Sequence, residues 1–238
     1  MRGLQETLRR WILLAIVAWL VLTVVPVLLL RWIPPPSSAF MLEARIEALR
    51  AGDKAYRTDY HWVSLEHISP QAALAVIASE DQTFPFNYGF DFHSIRKAVR
   101  AAERGRRLRG ASTISQQVAR NLFLWPGRSF MRKGIEAYFT VLLEAFWPKE
   151  RILEVYLNVA QFGRGIYGVE AAARRFYREP AVHLTASQAA LLAAVLPDPV
   201  HWHVERPSGF VLWKQRWILG QMRNLGGAAY LQDVKQRR

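Results

Sequence analysis

The segment from Trp11 to Leu30, 20 residues without a charge, constrains this chain more than any other feature. At about 1.5 Å of rise per residue it forms a helix ~30 Å long, the thickness of a bilayer's hydrocarbon core. A buried core helix and a secretory signal peptide are the rival readings. The apolar region of a signal peptide is about 7–15 residues long. This run is longer, and Ser37-Ser38-Ala39 behind it is a weak cleavage site. Pro26 lies inside the run, and proline is commoner in membrane helices than in soluble ones. The segment reads as an uncleaved anchor.

Flanking charge sets the expected orientation. Arg2, Arg9 and Arg10 precede the run with Glu6 as the only acid, whereas Arg31 follows and the next basic residue is Arg45. Positive flanks stay in the cytoplasm, so the rest of the chain is expected outside the inner membrane. The formal net charge of +13 calls for an anionic partner. Outside the inner membrane that partner is a lipid surface or a phosphate-bearing substrate, and nucleic acid is disfavoured. The chain has no cysteine, which removes disulfides, thiolate chemistry and Cys-based metal sites. With 51% apolar residues it can bury a sizeable core.

The expected organisation is a cytoplasmic N-terminus at 1–10, the anchor at 11–31, a linker with a juxtamembrane helix at 32–60, and the main domain at 61–238. Pro34-Pro35-Pro36-Ser37-Ser38 reads as a short stiff spacer. Met41, Leu42, Ile46 and Leu49 carry a helical pattern that Gly52 breaks. Ser69-Pro70 is an N-cap with proline at the first helical position, and predicts a helix to Asp81. Thr113-x-x-Gln116 and Thr185-x-x-Gln188 are capping boxes. Arg132–Phe146 and Glu150–Val159 keep apolar residues at helical spacing on either side of Pro148. Alternating strands are scarce, so the predicted class is mainly α.

Glu80 and Asp81 are adjacent carboxylates at a predicted helix C-terminus. The negative end of the helix dipole disfavours their charged form there, which suits a general base. A solvated acidic turn is the plainer reading of the pair. Gln117, Arg120 and Asn121 fall on one face of the helix that Thr113 opens. Ser112, Thr113 and the free amides of that helix start can take an anion, with Arg120 and Arg128 nearby in sequence. Arg132, Lys133 and Glu136 share one helical face, where an exposed ion pair is the plainer reading. In Glu154-x-Tyr156-Leu157-Asn158, Asn158 is expected to cap or cross-link helices.

These segments, in this order, resemble the peptidoglycan glycosyltransferases of family 51. Ala78-Ser79-Glu80-Asp81 with Phe84, Gly89 and Asp91 resembles their first motif. Gly110-Ala111-Ser112-Thr113-Ile114-Ser115-Gln116-Gln117 with Asn121 resembles the second, Arg132-Lys133-x-x-Glu136 the third and Ile152 to Asn158 the fourth. Gly168 to Ala173 and Leu184 to Pro197 resemble the later ones, so the likeness covers about 61 to 200. With one anchor and no length for a transpeptidase domain, the chain resembles the monofunctional biosynthetic members from Gram-negative bacteria. Two positions depart from the pattern: Asn87 stands where the family commonly has His, and Arg120 where it commonly has Lys. Arginine keeps the charge and grips phosphate with two donors.

The resemblance implies a lysozyme-like helical domain with a small lobe dipping into the membrane. It implies lipid II and the growing glycan chain as substrates, at the outer face of the inner membrane. Attack of the acceptor 4-hydroxyl inverts the anomeric centre, and undecaprenyl diphosphate leaves. Glu80 is the expected base, and Asp81 is expected to support it and to bind substrate. Arg120, Arg128, Arg132 and Lys133 neutralise the diphosphate, while Gln117, Asn121, Ser112 and Thr113 position sugar or phosphate oxygens. Glu136 orders the basic cluster or holds a divalent metal, Mg or Mn, near the diphosphate; no cofactor is otherwise required. The resemblance also implies cell-division or penicillin-binding proteins as protein partners. A lytic transglycosylase shares an essential glutamate but has no use for a cationic cluster, and a non-enzymatic scaffold needs none of these residues.

Phe123-Leu124-Trp125-Pro126 with Phe130 is either a core segment or a shallow membrane contact. The basic run from Arg96 to Arg109 is expected to be a solvated loop that favours anionic lipid. His201-Trp202-His203 is too sparse for a metal site.

Overall fold

The computed structural model describes residues 2–93, 96, 100, 112–127 and 129–236. Arg128 and most of the basic run from 96 to 109 therefore lie outside the described residues, as do Gly110 and Ala111. The architecture is helical, as the end signals predict, with one small sheet.

Helix α1 spans Arg2–Leu30. Its stretch Gln5–Leu30 holds an 18-residue window with a mean hydropathy of 3.0 and is long and apolar enough to cross a membrane. Leu13, Ile16, Trp19 and Leu22 are exposed along it, which a core helix does not allow. Its C-terminal end is fastened to the rest of the chain. The hydroxyls of Thr23 and Tyr138 lie 2.8 Å apart, and the Trp147 indole donates to the Val27 carbonyl at 2.8 Å. Arg151 donates to the carbonyls of Leu30 and Ile33, each at 2.8 Å. Carbonyls in the last turn of a helix lack intrahelical partners, and these side chains supply them.

Residues 32–60 are packed rather than free. Ser38 caps α2 (Ala39–Arg50) by accepting from the Met41 amide, and Met41 is buried in the core. The Tyr60 hydroxyl donates to the Pro35 carbonyl at 2.7 Å. Strand β1 (Asp59–Tyr60) pairs in parallel with β3 (Ile166–Tyr167), and β2 (Gln161–Gly163) pairs with β3 antiparallel across a bulge. The expected domain start at His61 therefore falls just after a strand already in the sheet.

Helix α3 (Pro70–Glu80) is the centre of the domain. Ala72, Ala73, Leu74, Ala75, Val76, Ile77 and Ala78 are all buried. A helix apolar on every side must be surrounded, and the four alanines let neighbours approach closely. Those neighbours are α6 (Lys149–Val159), α8 (Ala186–Val195) and α9 (Gly209–Asn224). Helix α4 (Ile114–Phe123) packs on α6 and on α5 (Phe130–Phe146), and α1 runs against α5. Helices α7 (Val169–Tyr177) and α10 (Leu231–Gln236) complete the fold. The segment from Phe123 divides: Leu124 is buried, whereas Trp125 and Phe130 are exposed.

Candidate active site

Glu80 is the last residue of α3, so the buried helix delivers its carboxylate to the edge of the core. One oxygen accepts from the Ser79 hydroxyl at 3.0 Å, and the other from Gln117 Nε2 at 3.0 Å. The Tyr156 hydroxyl in turn donates to Gln117 Oε1 at 3.2 Å. This bond fixes which end of the amide faces Glu80. Tyr156 is fully buried, and burial first, then the Glu80 charge, holds its hydroxyl well above the usual tyrosine range. It therefore stays a donor throughout the neutral range.

Asp81 turns the other way. Its oxygens accept from Asn87 Nδ2 at 2.8 and 3.0 Å, from Thr83 at 3.3 Å and from the Ile114 amide at 3.1 Å. The anion site expected at the start of α4 is thus filled from within the protein. Thr113 is buried, accepts from the Gln116 amide and donates to the Gly89 carbonyl at 2.7 Å, so its hydroxyl is committed to the frame. Burial raises the Asp81 carboxyl above its ordinary range, against the pull of Asn87, the Ile114 amide and Lys149. Asp81 and Thr113 hold the loop and helix around Glu80 and also line the cavity beside it. Asn87, in place of the usual His, is the hinge of this frame. Its Oδ1 accepts from the Gly89 amide at 3.1 Å and from Lys149 Nζ at 3.4 Å, and Lys149 pairs with Glu144 at 2.8 Å.

The third group gathers at the start of α5. Ser129 caps that helix by accepting from the Arg132 amide, which puts Arg132 and Lys133 in its first turn. That is the positive end of the helix dipole, where cations are disfavoured and anions are drawn. Glu136 is 2% exposed and accepts from Arg132 at 3.3 Å and from Lys133. The exposed-pair reading therefore fails for Arg132 and Glu136, which are buried; only Lys133 reaches solvent, at 48%. Arg132 Nε is buried and has no hydrogen-bond partner among the described residues.

Lys133 Nζ lies 3.5 Å from the Ser112 hydroxyl. Ser112 and Glu80 line the same cavity, of about 380 Å³. A second cavity of about 370 Å³ is lined by Gln117, Arg120, Asn121, Arg132 and Tyr156. Gln117 touches Glu80 and lines that second space, so it joins the carboxylate to the cations. Arg120 donates weakly to Asn121 at 3.5 Å and lies 5.7 Å from the centre of the Phe40 ring. A larger cavity, about 790 Å³, runs past Leu65, Arg151 and Leu231 and includes none of these groups. The chemistry marks the site here, and volume does not.

Residues 47–223 match a family described as Transglycosylase. The chain belongs to the transglycosylase family. The match starts inside α2 and covers every site residue above. Among its relatives is a biosynthetic peptidoglycan transglycosylase of Cronobacter sakazakii, 52% identical over 97% of this chain and 95% of its own length. Proteins of the same description from Xylella fastidiosa and Mannheimia succiniciproducens are 49% and 54% identical, over 94% and 86% of this chain and 91% and 84% of their own. Within the transglycosylase domain, Asn158 ties its helix to the non-helical segment at Val63 rather than to a second helix, exchanging 2.9 Å bonds with the Val63 backbone. Three contributors escaped sequence reasoning: Ser79, Tyr156 as the residue that orients Gln117, and Lys149. Of these, Tyr156 carried a signal, since it shares the buried face of the fourth motif with Leu153 and Leu157.

Proposed function

We propose that this peptidoglycan glycosyltransferase polymerises lipid II into β-1,4-linked strands, with Glu80 as the base and undecaprenyl diphosphate as the leaving group. One observation carries the reading. Ser112 lines the Glu80 cavity and lies 3.5 Å from Lys133, so the Glu80 carboxylate and the cationic cluster meet at Ser112. Glu80 takes the proton of the acceptor 4-hydroxyl. The freed oxygen bonds to the anomeric carbon of the growing chain, with inversion, as the bond to the diphosphate breaks. The electron pair leaves on the diphosphate, whose charge Lys133, Arg132 and Arg120 neutralise. The unpartnered Nε of Arg132 and the α5 N-terminus both suit an anion there. A lytic enzyme has no diphosphate to neutralise, and the cluster weighs against it.

The residues do not fit a protein-held divalent metal at Glu136. One of its oxygens already accepts from Arg132 and the other from Lys133, and the adjoining charges would repel a second cation. No step here passes through a metal. The reading also places α1 across the inner membrane with its N-terminus in the cytoplasm and the cleft on the outer side.

Purified full-length protein in detergent, supplied with labelled lipid II, tests the proposal. The wild type is expected to form polymer, and Glu80→Gln to lose about 10²–10⁴ in rate. Polymer from Glu80→Gln at the wild-type rate rejects the base. Release of anhydro-muropeptides from sacculi, with no polymer from lipid II, returns the lytic reading.

A further inference from the structure

An aromatic ridge lies on α9, which packs against the helix that ends in Glu80. On α9, Phe210 and Trp213 are each 53% exposed, and Trp217 is 40% exposed. They are three and four residues apart and so lie along one side of the helix. Trp202, from the histidine-flanked segment that offered no metal site, extends the row. Its ring centre is 5.2 Å from that of Phe210, edge to face, and Phe210 is stacked on Trp213 at 5.6 Å. Contiguous exposed apolar surface of this kind marks a contact site.

The position of the ridge narrows what touches it. Helix α9 packs along α8 and α3, and α3 ends in Glu80. Lys214 follows Trp213; its ammonium lies 5.7 Å from the centre of the Trp202 ring and within the field of the Glu80 carboxylate. One side chain thus links the aromatic row to the base. The anchor packs elsewhere, on α5, where exposed Phe130 and Trp125 accompany it. Sugars suit a surface of this composition. A pyranose shows C–H bonds on one face, which lie well against the electron-rich face of an aromatic ring. Its hydroxyls, at the rim, accept hydrogen bonds from an ammonium group.

We propose that Trp202, Phe210 and Trp213 form a saccharide subsite that holds the glycan beside Glu80, with Lys214 bonding sugar hydroxyls at its inner edge. The inference rests on the reading of Glu80 as the reacting centre only for its position.

Calorimetric titration of full-length protein in detergent with a lipid-free oligosaccharide of alternating N-acetylglucosamine and N-acetylmuramic acid tests it. Phe210→Ala and Trp213→Ala are expected to bind about tenfold more weakly, equivalent to ~1.4 kcal/mol. Phe130→Ala, on the anchor side, should bind as the wild type does. Circular dichroism checks each fold, and Trp213→Leu, which keeps apolar bulk without a ring, should also lose affinity. Equal affinity in every variant, or no binding by the wild type, overturns the subsite. Reconstitution into vesicles with brominated lipid checks the rival surface: quenching that disappears in Trp213→Phe would place the ridge in lipid and overturn the proposal. Binding is read without turnover, so Glu80→Gln protein should show the same ratios even where the base assignment fails.

Discussion

Gln117 Nε2 donates to Glu80 Oε2 at 3.0 Å, and this bond joins the first motif of the chain to the second. The amide is held in that sense by Tyr156, whose hydroxyl donates to its other end. Gln117→Leu keeps the volume and removes the donor. A hydrogen bond to a charged group contributes about 1.5–3 kcal/mol, so polymerisation is expected to fall roughly 10–100-fold. Tyr156→Phe should produce a smaller fall in the same direction, because the amide is then free to turn its oxygen toward Glu80. Rates of both variants on labelled lipid II, with unfolding midpoints alongside, check this. An unchanged rate for Gln117→Leu removes the amide from the mechanism.

Lys133 and Glu136 are paired but are expected to fail differently. Lys133 is half-exposed, and its loss leaves little buried charge behind. Lys133→Ala should lower the rate by about 10²–10³, the usual cost of one preorganised charge-stabilising donor, with a near-native melting curve. Glu136→Gln leaves the buried Arg132 guanidinium without its counter-charge, which costs about 3–5 kcal/mol of stability. Thermal unfolding should therefore separate the two variants even though both lose activity. The reverse pattern, a stable Glu136→Gln and an unfolded Lys133→Ala, would contradict the arrangement.

Asp81 ties stability to pH. Burial raises its carboxyl above the ordinary value of 3.8, so the folded chain binds this proton more tightly than the unfolded one. The sign follows: its contribution is fully present below that ordinary value and is lost as pH rises through the raised folded value. Asp81→Asn removes the titration. The stability of the wild type minus that of Asp81→Asn should therefore shrink as pH climbs from the ordinary value through the folded one. Denaturant unfolding of both proteins across that window measures the slope, and a difference that grows with pH reverses the assignment.

Local signals made much of this fold readable. Ser69, Thr113 and Thr185 mark helix starts because each cap bonds within its own first turn. Glu80, Gln117 and Glu136 were recognisable because their motifs keep fixed spacing along single helices. What stayed hidden is long-range. Nothing near Ile114 shows that its amide is taken by Asp81, 33 positions earlier in the chain. Thr113 therefore looked available to an anion when its hydroxyl was already used. The proline-rich stretch read as a spacer because the sequence does not reveal that Tyr60 reaches back to Pro35. Lys214 sits among several basic residues of α9, and only the packing of α9 on α3 brings it to Glu80.

Gly89 closes the frame around Asp81, and its backbone makes a sharp local prediction. Its φ is +80°, where a side chain is strained, and a Cβ there would lie 2.6 Å from Thr140 Cγ2 and 2.9 Å from Glu144 Cγ. The left-handed conformation alone costs an L-residue about 1–2 kcal/mol. Gly89→Ala should therefore destabilise the protein by at least ~2 kcal/mol once the contacts are included. Thr140→Ser offers a way to divide that cost. It removes the clashing methyl and keeps the hydroxyl that donates to the Glu136 carbonyl at 2.7 Å. If steric contact matters as the geometry implies, the double variant recovers part of the loss and the two changes are not additive. The conformational part should remain, and the Asp81–Asn87 bonds with it. Full additivity in unfolding experiments would mean that the cost lies in the backbone and the Glu144 contact and that Thr140 yields freely.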